Sequence, residues 1–129
     1  MPVLTMNPTL GDLLKFELQG SYCREAVTLK AGTSYPLGAV LGKITASGKY
    51  RLSPAAAVTG DEGAETAIAV LLEAVDATAG DKTGLIAARG PVIVAKAALG
   101  FDATVNDAAK KAAKHTQLAA AGLVARETV

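Results

Sequence analysis

The sequence predicts a mainly β fold with one C-terminal α-helix (α+β), a compact single domain over residues 21–129 preceded by an extended N-terminal arm over residues 1–20. Three observations lead there. Between residues 24 and 95 the apolar stretches are short and are punctuated by Gly, Pro, Ser and Asp, the pattern of strands joined by turns. Residues 107–121 are dense in Ala and Lys, which are good helix formers. Pro2 and Pro8 each remove a backbone donor close to the start, which opposes a helix or a central strand there.

The elements follow in order. Val3, Leu4, Met6 and Leu10 make the arm apolar, so it is expected to be tied down on some surface rather than left frayed. "TLGDLLKFE" fits a short helical turn, with Thr9 and Asp12 spaced as a capping box. "REAVTLK", 24–30, alternates with Ala26 and Thr28 on one face and Val27 and Leu29 on the other, a strand. "AGTSYPLG" is turn material, and "AVLGKITA" is a strand whose interior Gly42 predicts a bulge or a close backbone approach. "SGK" reverses the chain into Tyr50. "LSPAAAV" predicts one short helical turn, with Ser53 as N-cap and Pro54 in the first position.

"TGDEGAE", 59–65, reads as a solvated polar loop, and "TAIAVLLEAVDA", 66–77, as a buried strand because of its β-branched residues and flanking loops. "GLIAARGPVIVAKAAL" reads as one strand interrupted near Gly90-Pro91, or as two. Thr104 or Asn106 is expected to cap the last helix, with Gly122 as its C-cap glycine and "LVARETV" as a final short strand.

Composition narrows the function. A formal net charge of +1 argues against a direct nucleic-acid partner, and Lys110, Lys111 and Lys114 read as a solvated helix face. No apolar run is long enough to cross a membrane, and the opening residues lack a basic region followed by an apolar core, so no membrane partner and no signal peptide are expected. Synthesis in the cytoplasm of the producing cell is the expectation. Cys23 is the only cysteine, which excludes an internal disulfide and fits a reducing compartment. Aromatic side chains are few: Phe16, Tyr22, Tyr35, Tyr50 and Phe101. So thin a core favours extra burial against other copies or a large partner.

Chemistry is sparse. His115, the single histidine, has no Cys, Asp or Glu at helical spacing to share a metal. A Cys23–His115 dyad would need the fold to bring the two together. Asp61, Glu62 and Glu65 cluster, but without the calcium-loop spacing, and Glu73, Asp76 and Asp81 form no recognisable acid–base pair. Neither a Walker loop, a dinucleotide fingerprint nor a G-x-S-x-G elbow occurs. The expectation is a non-enzyme with no catalytic residue, no metal and no cofactor, whose work is contact.

Four stretches in order, "TLGDLLKFE", "YPLGAVLGKITASGKY", "VLLEAVDATAGDKTGLIAARG" and "AAKKAAKHTQLAAAGLVAR", resemble the head decoration protein D family of tailed phages, the lambda-type capsid stabilising proteins. The resemblance covers nearly the whole chain. It implies a β-clip type of domain and a homotrimer seated on the outer surface of the virion capsid, bound to the major capsid protein after the shell expands and bracing it against the packed genome. It also implies that the N-terminal arm adds a strand to the major capsid protein. Carried over, the capsid-binding residues are Pro2, Val3, Leu4, Thr5, Met6, Asn7, Pro8, Thr9 and Leu10. One departure stands out: the lambda-type pattern has a Trp-Pro pair before the last helix, whereas this chain has "LGFDAT", with Phe101 as the candidate for the aromatic role. The alternative is a non-catalytic small β module that binds a carbohydrate or peptide, with Tyr22, Tyr35 and Tyr50 supplying the ring contacts.

Overall fold

The computed structural model describes residues 13–17, 23–89 and 91–126. In chain order the elements are β1 (Leu14–Glu17), β2 (Arg24–Leu29), β3 (Ser34–Tyr35), β4 (Val40–Lys43), β5 (Tyr50–Leu52), β6 (Ala69–Leu71), β7 (Val75–Asp76), β8 (Lys82–Ala87), β9 (Val92–Ala95), a 3-10 turn at Lys96–Ala98, α1 (Ala108–Ala120) and β10 (Leu123–Arg126). The expected mainly β fold with a C-terminal helix is what the chain adopts.

Five strands close a barrel in the order β2-β5-β4-β6-β8. Its longest ladder is antiparallel, from Arg24↔Ala87 to Leu29↔Lys82. The alternation in β2 acts as the period of two requires: Leu29 is buried and Val27 half-buried, while Glu25, Ala26 and Thr28 are exposed. Leu29, Tyr35, Leu41, Leu71 and Ile86 belong to the core of the barrel. A second layer is the sheet β1-β9-β10, in which β9 pairs antiparallel with β1 and parallel with β10. Leu13, Cys23, Val40, Val70, Val92, Val94, Leu118 and Leu123 fill the core that joins this sheet and α1 to the barrel. Each fully buried Leu or Val of these clusters contributes about 1.5–3 kcal/mol of transfer free energy.

Gly42 makes the close approach expected of it. A Cβ added there would stand 2.6 Å from the Ala64 carbonyl carbon, and closer still to its oxygen, so any larger residue would push the 59–65 loop off β4. The β4–β5 hairpin reverses where "SGK" predicts, with Ile44 N–H donating to Lys49 O at 2.8 Å. Gly122 follows the helix with φ +87°, the left-handed conformation a helix stop uses.

Three local expectations change and one open choice is settled. The run 66–77 is two strands, because residues 72–74 bend the chain from the barrel (β6) toward β3, which β7 pairs. Of the two readings of "GLIAARGPVIVAKAAL", the structure takes the second: β8 in the barrel and β9 in the other sheet, separated at Pro91. Residues 53–58 form no helical turn: Ser53 is buried, and its hydroxyl donates to Ala64 O at 2.7 Å instead of capping. Asp107, not Thr104 or Asn106, caps α1, accepting from Lys110 N–H at 2.8 Å. Thr104 is engaged elsewhere, its Oγ1 donating to Asp102 at 2.6 Å and accepting from Ala55 N–H at 2.9 Å.

Candidate functional site

The candidate contact residues Pro2 to Leu10 lie outside the described residues, as do the Thr9–Asp12 capping box and Tyr22. What is described is the base from which that segment springs. Leu13 is fully buried, and β1 begins at the next residue. β1 stands at one end of its sheet's strand order. Its last residue, Glu17, is gripped by Arg24 at the start of β2, through Nη2 to Oε1 at 2.7 Å and Nε to Oε2 at 3.0 Å. A bidentate fork of this kind fixes direction as well as distance. The chain ahead of residue 13 is therefore anchored at its root to both layers of the fold.

The acidic cluster is not the solvated loop expected from sequence. Asp61 is buried, and its two oxygens take Lys30 Nζ at 2.7 and 2.9 Å and Arg51 Nη1 at 2.7 Å. Hydrogen bonds from Lys30 and Arg51 hold its carboxyl below the ordinary 3.8 against the opposing effect of burial. Arg51 also reaches Asp102 at 3.4 Å. Glu62 and Glu65 close tight turns, accepting from Gly60 N–H and Gly63 N–H. Asp61 thus ties the 59–65 loop to the barrel, while Glu62 and Glu65 fix turns within the loop. Among the described residues no group of three His, Cys, Asp or Glu side chains is placed to hold a metal.

Lys114 is the other correction. Lys110 and Lys111 are exposed as expected, but Lys114 is buried. It stands one helical turn before the buried Leu118, on the same face of α1. Its ammonium donates to Ser53 Oγ at 2.9 Å, Pro54 O at 2.7 Å and Glu65 O at 2.5 Å. Three donors meet three acceptors, so the cation is fully hydrogen-bonded without a carboxylate in contact. Burial lowers its pKa from 10.5, opposed by the more distant charges of Glu65 and Asp102.

Phe101 does take up an aromatic position beside the helix. It packs on the core cluster that holds Leu118, with its ring 5.8 Å from that of His115 in an edge-on arrangement. Cys23 is a buried free thiol in that core. The ligand-module alternative loses two of its three rings: Tyr35 and Tyr50 are 1% and 8% exposed, and Tyr35 donates its hydroxyl to Lys30 O. Burial pushes the Tyr35 hydroxyl up to about 12. A cleft of about 220 Å³ does open beside Lys30, Thr33, Arg51 and Asp102, smaller than the usual small-molecule site of roughly 300–1,000 Å³.

The fold and its polar clusters define a small β-barrel domain in which buried charge fastens loops and helix to the barrel. The chain belongs to the family of bacteriophage lambda head decoration protein D, whose pattern it matches over residues 3–123. Membership gives it a structural role in the phage head and a place in the virion capsid. Among curated proteins no match is found.

Proposed function

We propose that this protein is a trimeric cementing protein of the capsid's outer surface, made in the host cytoplasm, that binds the major capsid protein of the expanded head and stabilises the shell against the pressure of the packed genome. The contact is made by Pro2, Val3, Leu4, Thr5, Met6, Asn7, Pro8, Thr9 and Leu10, adding a strand to a neighbouring sheet: backbone hydrogen bonds give affinity and alternate side chains give register. The family match carries the reading. The root of that segment supports it, because β1 lies at one end of its sheet and is locked by Leu13 and by the Glu17–Arg24 fork. A firmly held root directs the residues ahead of it. One arm that orders on binding holds weakly, since ordering opposes association, but three arms on one trimer act as a set.

The test is co-sedimentation with expanded, undecorated heads, comparing the full chain with a version lacking residues 2–10. The full chain is expected to bind in multiples of three and the shortened chain to stay in the supernatant while keeping its fold by circular dichroism. Equal binding by both removes the arm from the contact, and no binding by either rejects the decoration reading.

A further inference from the structure

The side chains around Phe101 make a surface outside the arm residues Pro2 to Leu10. Phe101 and His115 are half-buried, and Lys111 and Lys96 are exposed beside them. Lys111 Nζ lies 5.6 Å from the centre of the Phe101 ring, and the His115 ring meets Phe101 edge-on. Lys96, on the 3-10 turn after β9, is near enough to oppose protonation of His115, which burial also disfavours. The patch therefore gathers Lys111 and the His115 imidazole around one ring, with Lys96 close enough to His115 to act on its charge.

The two carboxylates next to the patch in sequence, Asp102 beside Phe101 and Asp107 four residues before Lys111, are engaged elsewhere, Asp102 with Arg51 and Thr104 and Asp107 with the Lys110 N–H. The helix from Ala108 to Ala120 has no Asp or Glu, and none of the ion pairs among the described residues includes Lys96 or Lys111. Lys111 also stands near the start of α1, where the helix dipole opposes a cation. An ordinary solvated lysine gains nothing from that position, whereas a cation that meets an incoming carboxylate does. The ring gives the site an apolar floor, and the core packing of Phe101 fixes it in place.

We propose that Lys96, Phe101, Lys111 and His115 form a second docking surface, one that receives a carboxylate-bearing segment of a protein partner. Charge complementarity selects an acidic segment, with the carboxylates on Lys96 and Lys111 and the adjoining aliphatic carbons on the Phe101 face. The docking chemistry rests on the patch itself, while naming the shell protein as the partner rests on the decoration reading.

Two measurements on the full chain test it. The first is binding to undecorated expanded heads by Lys96→Glu/Lys111→Glu, whose substitutions are exposed and leave the core untouched. Affinity is expected to fall about tenfold or more, with a shallower salt dependence than the parent. Parent-like affinity and salt slope would overturn the proposal. The second does not depend on heads: nuclear magnetic resonance of His115, the only imidazole in the chain, titrated with an oligoglutamate peptide. A carboxylate seated beside the ring is expected to raise the His115 pKa, and the double variant is expected to lose that response. An unmoved His115 titration would overturn the proposal. So would tighter binding of a single-stranded oligonucleotide than of oligoglutamate, since that would make the patch a phosphate surface. If the parent fails to bind heads but His115 responds to oligoglutamate, the decoration reading fails and the acidic-segment site stands.

Discussion

Replacing Lys114 by Met removes one ammonium and keeps nearly the same side-chain volume. Three acceptors then lose their donor: Ser53 Oγ at 2.9 Å, Pro54 O at 2.7 Å and Glu65 O at 2.5 Å. Ser53 keeps its own bond to Ala64 O, so two carbonyls bear most of the loss. Each covered, unpartnered carbonyl costs about 1–3 kcal/mol, giving a gross loss of roughly 2–6 kcal/mol. Against this, the variant no longer desolvates a cation, which offsets part of it. The expected net loss is about 2–3 kcal/mol, a fall in Tm of roughly 6–12 °C for a domain of this size. Scanning calorimetry at pH 7 measures it.

Alkaline pH gives a second readout of the same residue. The native pKa of Lys114 lies below 10.5, so between the two values the unfolded chain binds the proton that the native chain has released. Parent stability relative to the variant should therefore rise with pH across that window. A Lys114→Met protein as stable as the parent at pH 7 would refute the reasoning, because the three hydrogen bonds would then be worth no more than the desolvation they accompany.

Gly42→Ala is expected to destabilise by about 3 kcal/mol in urea unfolding, since its Cβ would collide with the backbone of Ala64 and force β4 and the 59–65 loop apart. Asp61→Asn removes the charge that Lys30 and Arg51 share and should cost roughly 2–3 kcal/mol at neutral pH. Because the native Asp61 pKa lies below 3.8, its contribution is present above that value and disappears as pH falls through the native one; the variant's stability should be flatter across the acid limb. Cys23 should resist a thiol reagent in the native protein and react fully in guanidinium, and Cys23→Ala should bind heads as the parent does, at a stability cost of about 1–2 kcal/mol for the small void. Rapid native labelling, measured by mass spectrometry, would contradict the core placement.

The strands were legible wherever a local signal suffices. Val27 and Leu29 alternate with exposed residues and become the inner face of β2, and the interior Gly42 announces a neighbour that proves to be the Ala64 backbone. Gly122 marks the helix end through a backbone angle few other residues take up. Charge burial was not legible, because it depends on partners distant in the chain. Asp61 stands in a polar, glycine-bearing segment that reads as solvent-facing, and only the fold brings Lys30, thirty-one residues away, onto it. Lys114 was hidden by its surroundings: Ala112 and Ala113 precede it and His115 and Thr116 follow it, so no apolar stripe marks the inward face of α1, and the one clue is its spacing from Leu118. Ser53-Pro54 has the form of a helix start, yet the demand of Lys114 and Ala64 for the Ser53 hydroxyl prevails.

The sheet β1-β9-β10 joins the two ends of the chain through its middle strand. Leu14 faces Val94, and Leu123 faces Val92, so β9 has one flank made long before it and lacks the other until the last described strand is available. The barrel has the same character on a smaller span, since Arg24 must wait for Ala87. The β1-β9-β10 sheet is therefore expected to close only once Leu123–Arg126 has been made. A topology dominated by such distant pairings folds in roughly milliseconds to seconds rather than microseconds. Until then the apolar strands Val92–Ala95 and Ala69–Leu71 are open to other nascent chains, which makes late closure an aggregation hazard.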